Sequence, residues 1–374
     1  MQEIFDKQRD VMKEYGFDGL VTMSPENTQY VIGVNVPTQS TVRSRLVVST
    51  ITHHEDPVTV CVNIEEELVK TESWLDPDRV FSYNEFTVDP IVFAAEKMIE
   101  MGLKGGKVGI EFDYLSAKDY LKLKEVVPEI EFVDASRAFE DMRKIKMDWE
   151  IEVIRSLASG AEKVIFSAFD GVKAGMTEND MFAICNKVFS EIGGDKLTIM
   201  TIASGEKSTM LNSPPSDRIL QKGDVVRLDL IGTKQGYLCD VCRTAVVGVP
   251  TERQSRIWEL LVDSHDRIIA QIKPGVNTHD IFDDFDVNMQ KAGFPASIDF
   301  VGHGLGLGLH EEPYINRFTH NILQEKMVLC VEPIYIDAPI AGYQLENEIL
   351  VTKDGCEILS GSRPYDKLAF IRDE

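Results

Sequence analysis

Four carboxylates in the second half of the chain, Asp229, Asp240, Glu332 and Glu346, fall in pairs on two segments that read as β-hairpins, and a glycine-rich stretch with two histidines lies between the pairs. In VVRLDLIGTKQGYLCDVCRT, Val225 to Leu230 reads as a strand, Thr233 to Gly236 as a turn closed by glycine, and Tyr237 onward as the return strand. A turn centred between Lys234 and Gln235 predicts that Asp229 lies directly opposite Asp240. In VLCVEPIYIDAPIAGYQLENEILVT the chain folds back around Pro339, which predicts Glu332 opposite Glu346. Like charges facing each other across a sheet destabilise it, so two such pairs in one domain imply a cation between them. Carboxylates combined with imidazole suit manganese, zinc, cobalt or iron better than magnesium or calcium. Four carboxylates can hold two divalent ions roughly 3.5 Å apart, an arrangement that activates water as a nucleophile and clamps a tetrahedral intermediate. The alternative is four ordinary surface acids, which accounts less well for the same symmetry on both hairpins.

The stretch from Val301 to Pro313 alternates glycine with other residues, so it is expected as an irregular, close-packed strand and not as a helix. His303 is the candidate metal ligand and His310 the candidate acid/base or oxyanion donor, with Glu311 beside it to share the proton traffic. A phosphate-cradling loop is the competing reading, but no helix start follows and Pro313 interrupts. Cys239-Asp-Val-Cys242 has a spacing seen in zinc and redox sites; no second cysteine pair is near, and the two thiols read as structural.

These residues need a scaffold, and the chain has ample length for one. Its 374 residues suggest more than one domain. From Asp18 to about Val133, short apolar runs (GLVTMS, TQYVIGV, RLVVSTI, PVTVCVNI, KVGIEF and EIEFVD) alternate with helical stretches near 89–102 and 115–125, the pattern of an α/β domain. A charged stretch then leads into a helical pattern over 149–169, and the boundary is placed at residue 145. The second domain, 146–374, adds a helix opened by Thr177-x-x-Asp180, helices near 251–272 and 278–292, and the two acidic hairpins, which together read as α+β. The 39 basic against 62 acidic residues give a net charge of −23, which argues against nucleic acid and anionic membranes as partners. The six cysteines are sparse and sit mostly in apolar runs, as expected of reduced thiols. The first 17 residues read as a charged amphipathic helix without a signal-peptide apolar region, and no apolar run approaches membrane-spanning length, so a cytoplasmic protein is expected.

The order Asp229, Asp240, His303, Glu332, Glu346 resembles the ligand set of the pita-bread metallohydrolases, the family that includes Xaa-Pro dipeptidase (prolidase), aminopeptidase P, methionine aminopeptidase and creatinase. DLIGTKQGYLCDVCRT is similar to that family's D-x-G…G-Y-x-x-D-x-T-R-T, GHGLGLGLHEEP to its G-H-G-x-G-x-x-x-H-E-x-P, VEP to its metal-binding Glu-Pro, and QLENEILVT to its R-I-E-D-x-x-L-V-T. MRKIKMDWEIEVIR is similar to the segment opening the catalytic domain in the prolidase and creatinase branches, so the resemblance spans nearly the whole chain. It implies a creatinase-like α/β N-terminal domain over 1–145 and an α+β pita-bread catalytic domain over 146–374. It also implies two divalent metal ions, manganese first and zinc, cobalt or iron as the others. Asp240 and Glu346 would bridge the ions, Asp229 would chelate one, His303 with Glu332 would hold the other, and His310 would touch the substrate.

Three positions depart from the family pattern. Asn212 stands where the S-G-x-x-x-x-x-P-H segment places a substrate-side histidine, Cys242 replaces a threonine, and Gln344 replaces the arginine two residues before the last glutamate. The resemblance implies hydrolysis of a C–N bond in a small substrate, with an Xaa-Pro dipeptide first. The departures admit a nonpeptide amide or amidine of the ectoine-hydrolase or creatinase type. A metal-dependent lyase and a catalytically silent binding module are the remaining alternatives. Relatives of this type pair as dimers, which makes a homodimer the expected assembly. Arg43 and Arg45, in the polar segment Asn35 to Arg45, are candidates for binding a substrate carboxylate, because arginine meets carboxylates with two nitrogens.

Overall fold

The computed structural model describes residues 2–361 and 363–374. The chain forms two compact units that divide between Arg143 and Lys144.

The first unit is built on a six-stranded mixed sheet of β1 (Gly19–Thr22), β2 (Val48–Thr52), β3 (Val58–Val62), β4 (Val80–Tyr83), β5 (Lys107–Ile110) and β6 (Glu131–Asp134), in the order β4-β3-β2-β1-β5-β6. β1 runs antiparallel to β2 and parallel to β5. Both of its faces are covered, so it carries an unbroken buried run and not an alternating one. The helices Pro90–Glu100 and Ala117–Val126 seat Ile91, Ala94, Met98 and Leu123 against Val21, Val48 and Val108. The run TQYVIGV, expected as a strand, is instead the end of a helix, Pro25–Ile32. Local signals outweigh its β-branched residues: the Ser24 side chain caps the Asn27 N–H, Pro25 occupies the first turn, and Gly33 ends the helix in the left-handed region at φ 81°. Arg45 grips Glu85 with two nitrogens at 3.0 and 2.8 Å, and Arg43 lies over the Tyr114 ring.

Glu111, 1% exposed, anchors the start of this helix: it accepts bonds from the Met23 and Ser24 N–H groups and from the Asn27 amide. Burial pushes its carboxyl up, and the hydrogen bonds oppose that shift. Glu111→Ala strands these buried donors. It is expected to lower stability by about 2–4 kcal/mol in urea unfolding, whereas a loss below about 0.5 kcal/mol would remove the anchoring role.

In the second unit, the helices Asp148–Gly171 and Glu178–Glu191 cover a four-stranded sheet of β7 (Lys196–Ser204), β8 (Val225–Lys234), β9 (Tyr237–Val247) and, at the far end of the chain, Ala369–Ile371, in the order Ala369–Ile371, β9, β8, β7. The helices Glu252–Gln271 and Thr278–Lys291 cover a five-stranded sheet in which β10 (Phe300–Gly304) lies between β11 (Glu311–Asn316) and β12 (Val328–Val331). Beyond β12, a short hairpin of β13 (Ile334–Asp337) and β14 (Ala341–Gln344) leads to β15 (Asn347–Val351) and β16 (Cys356–Ile358), which complete that sheet. Thr177 and Thr251 start their helices with capping boxes, the first as the sequence indicates.

The two acidic hairpins differ in how well their registers were anticipated. The β8–β9 loop is the two-residue turn Gln235-Gly236, with both φ values positive at 51° and 78°. This is the backbone that a right-twisted tight hairpin requires. Asp229 therefore faces Cys242, and Asp240 faces Ile231, so the aspartates are not directly opposed. The displacement is two residues along the partner strand, which leaves both aspartates on one face as diagonal neighbours. On the second hairpin the expected centre at Pro339 holds. Ile334 pairs with Gln344 and Val331 with Asn347, and Glu332 and Glu346 face each other at the junction between the two pairings.

Candidate metal centre

Hydrophobic burial on the two sheets leaves a polar site where the β8–β9 hairpin meets the break between β12 and β15. Asp229 and Asp240 come from the hairpin, His303 from β10, and Glu332 and Glu346 from the two sides of the break. Asp240, His303, Glu332 and Glu346 are 5, 1, 6 and 1% exposed. The His303 Nε2 lies 3.3 Å from Glu332 Oε1 and 3.9 Å from Asp240 Oδ2. Its Nδ1 stands 2.9 Å from the Gly304 carbonyl and donates to it, so Nε2 is the ring nitrogen that faces the carboxylates; burial lowers the imidazole's pKa, but the hydrogen bond to Glu332 and that residue's charge outweigh it and raise the pKa.

The cluster fits a cation. Asp229 Oδ1, Asp240 Oδ1 and Glu346 Oε1 are all buried without a hydrogen-bond partner. Burial, and then the charges of Glu346, Asp229 and Glu332, push the Asp240 carboxyl well above its usual range. Burial, and then Glu332 and Asp229, do the same to Glu346. Burial raises Asp229 as well, against the opposing pull of Arg227. Buried carboxylates that repel one another and leave lone pairs unmatched are a donor set suited to divalent ions. Asp240, His303, Glu346 and, in addition, Cys330 present ligand atoms within 4.8 Å of one another.

His310 stacks on His303 with ring centroids 3.8 Å apart and planes 13° from parallel. The residue is exposed at the edge of the site, with its ring only partly covered; that partial burial, and then the adjacent His303, lower its pKa to about 4, although Glu332 pulls the other way. At neutral pH it is an uncharged imidazole that can still donate one hydrogen bond. Glu311 is held from two sides, by Lys146 Nζ at 2.9 Å and by the Gly308 N–H at 2.8 Å.

Gln344 is buried beside the ligands, and its amide nitrogen donates to Glu332 Oε2 at 3.2 Å and Glu346 Oε2 at 3.3 Å. The sequence comparison treats this position as a lost cation, yet Arg227 Nη1 donates to Gln344 Oε1 at 2.7 Å and lies 3.6 Å from Asp229 Oδ2. Positive charge therefore reaches the site from the opposite hairpin. Cys242 is buried across from Asp229, and Asn212 is exposed in the turn after Thr209. Arg43 and Arg45 belong to the first unit, where Arg45 already holds the carboxylate of Glu85.

Sequence reasoning missed Arg227, Cys330, Lys146 and Glu348, whose Oε1 accepts the Asp240 N–H at 2.8 Å. Arg227 and Cys330 each precede an acid by two positions on a strand, so each shares a face with a candidate ligand, a signal that was available. Lys146 carries no such signal, since it meets Glu311 across 165 residues.

Comparison with known proteins points the same way. Residues 152–353 match the profile described as metallopeptidase family M24, and residues 5–145 match the creatinase/prolidase N-terminal domain. The chain is 29% identical over 364 residues to an Xaa-Pro dipeptidase of Pyrococcus furiosus, covering 96% of this chain and 98% of that one. Among solved structures, the prolidase of Pyrococcus furiosus superposes with a TM-score of 0.83 at 26% identity, covering 95% of this chain and 100% of its own. A recombinant prolidase of Thermococcus sibiricus gives 0.87 at 25% identity, covering 99% and 98%.

Gly304 explains part of the glycine pattern, because a Cβ there would meet the backbone oxygens of Glu312 at 2.5 Å and Glu311 at 2.8 Å. Gly304→Ala is expected to force β10 from β11, to displace His303, and to cost about 1–3 kcal/mol in thermal unfolding. Gly355→Ala, where no atom lies within 4 Å, should be near neutral, and equal effects from the two would refute the close-approach argument.

Proposed function

This chain belongs to metallopeptidase family M24, and on that premise we propose that it is an Xaa-Pro dipeptidase using two divalent metal ions held by Asp229, Asp240, His303, Glu332 and Glu346. The observation that carries the reading is the set of three unpartnered carboxylate oxygens on Asp229, Asp240 and Glu346, gathered with the His303 Nε2. When bound, two such ions supply the Lewis acidity that activates water and polarises an amide carbonyl at neutral pH. Asp240 and Glu346 would be shared between the two ions, Asp229 would be a ligand of one, and His303 with Glu332 would hold the other. Manganese is the proposed metal, since the oxygen-rich set with one imidazole suits it; zinc, cobalt and iron are the competitors.

The side chains around the ligands divide the remaining work. Gln344 keeps Glu332 and Glu346 oriented through its two donated bonds. His310, uncharged and stacked on His303, donates its N–H to the substrate carbonyl oxygen as negative charge builds there. Hydrolysis adds water across the C–N bond, and the departing amine nitrogen gains a proton. With Asn212 unable to carry one, we assign its passage to the unprotonated ring nitrogen of His310, which takes the proton that the attacking water gives up and passes it on within the turnover. Glu311, fixed by Lys146 and Gly308, holds the His310 segment in place. The nonpeptide reading drew on Asn212, Cys242 and Gln344 together; Arg227 supplies a cation beside Gln344, while Asn212 and Cys242 remain as departures. A homodimer in the cytoplasm is the proposed setting.

Metal analysis of the purified protein, with a screen of Xaa-Pro dipeptides against small cyclic amides, tests the proposal. About two ions per chain and turnover of Xaa-Pro dipeptides are expected; an absence of bound divalent metal after reconstitution would refute it. Chelation should abolish turnover and lower the unfolding temperature together. Asp240→Asn should lose metal and activity in the same step, whereas His310→Ala should keep its metal and lose roughly 10²-fold in kcat. A His310→Ala protein with full turnover would move the proton-handling role elsewhere.

A further inference from the structure

Arg227 is among the largest fully buried side chains, at 1% exposure, on a strand whose other polar residues are Asp229 and, at its far end, Thr233 and Lys234. Leaving buried donors unmatched is costly; the Arg227 Nε has no partner, whereas both Nη groups do, and their partners identify its role. Nη1 donates to Gln344 Oε1 at 2.7 Å, Nη2 donates to the carbonyls of Met210, at 2.9 Å, and Leu211, and the guanidinium lies 3.6 Å from Asp229. An arginine can only donate and an ionised carboxylate can only accept. Gln344, set between them, therefore has one permitted orientation, with its oxygen toward Arg227 and its nitrogen toward Glu332 and Glu346. Without the arginine the amide oxygen would lose its donor, and only its repulsion from the two carboxylates would hold the amide's polarity, so Gln344 would be oriented less firmly.

We infer that Arg227 and Gln344 act as a single relay, in which the Arg227 guanidinium fixes the polarity of the Gln344 amide and so aligns Glu332 and Glu346 while also steadying Asp229. Arg227 is a positioning residue in this scheme, touching neither the substrate nor the reacting atoms. The inference rests on the metal-hydrolase reading for its catalytic consequence, but the relay itself belongs to the protein alone. It also explains how the chain accommodates glutamine at position 344: the charge sits on β8 and reaches the ligands through the amide. Exchanging the two residues should preserve the chain of donors and acceptors. A guanidinium introduced at position 344 can address both glutamates, while an amide introduced at position 227 can accept from it and donate to the Met210 or Leu211 carbonyl.

The test is a double-mutant cycle of Arg227→Gln, Gln344→Arg and the two together. It is read by steady-state kinetics, by manganese-binding calorimetry and by the unfolding temperature of the metal-free protein. Arg227→Gln leaves the amide oriented less firmly, and Gln344→Arg brings two buried guanidiniums together, so each alone is expected to lower kcat about 10²-fold with KM changed less than about threefold. The exchanged protein is expected to recover to within about tenfold of the wild type, with the unfolding temperature and metal affinity recovering in parallel. Losses that simply multiply in the double variant would overturn the relay. Should a single variant fail to fold, Arg227→Lys and Arg227→Met decide instead. The lysine retains charge and a donor and should keep kcat within about tenfold of the wild type, and a lysine variant as impaired as the methionine one overturns the proposal. A wild-type protein that binds no manganese would sink the metal reading, while the metal-free unfolding temperatures would still decide the relay.

Discussion

The second unit is organised around a repulsion. Asp229, Asp240, Glu332 and Glu346 are brought together where the two sheets meet, the last three buried and Asp229 half-buried, so water screens them only weakly. Folding must supply compensating interactions, and they come from several directions. Arg227 faces Asp229, while Arg243, 2% exposed, donates to the Cys242 and Glu346 carbonyls and pairs with Glu162 and Asn347. Neither arginine cancels the cluster, because each lies to one side of it and both leave three carboxylate oxygens unmatched. Binding of a divalent cation is thereby linked to stability in this unit.

The candidate ligands were legible in the sequence because each sits near a residue with few structural options. Gly236 dictates a tight turn, Pro339 a reversal, and the alternating glycines a backbone that must pass close to others. The hairpin turn was placed one residue too early because Thr233 to Gly236 also satisfies a common turn pattern. Only the positive φ at Gln235, uncommon for a side chain of that size, reveals the turn one residue further on. Face, and therefore function, survived the error because side chains in strands repeat every two residues.

What escaped the sequence reading was mostly long-range or weakly patterned. The helix Pro25–Ile32 was taken for a strand because Tyr30, Val31 and Ile32 favour extended chain, whereas the capping residues on either side decide otherwise. The strand β7 went unnoticed since its first half is exposed and shows no clean alternation. Position 344 was judged from its own residue type, and a glutamine considered alone gives no hint that an arginine 117 residues earlier supplies it with charge. Charge at a site is a property of the assembled neighbourhood, so a substitution along the chain can be offset across a sheet.

The pairing of Lys146 with Glu311 has a consequence for dissecting the protein. Both side chains are almost wholly buried, at 1 and 3% exposure, and the Lys146 N–H also bonds the Lys326 carbonyl. Lys146 lies six residues before the stretch that matches the peptidase profile, inside a segment that looks like a linker by charge alone. A fragment cut at residue 152 would contain every candidate ligand and still carry a buried carboxylate stripped of its counter-ion, a defect worth about 3–5 kcal/mol. The start of an autonomous second unit is thus set by electrostatics, at or before Lys144, rather than by where family likeness begins.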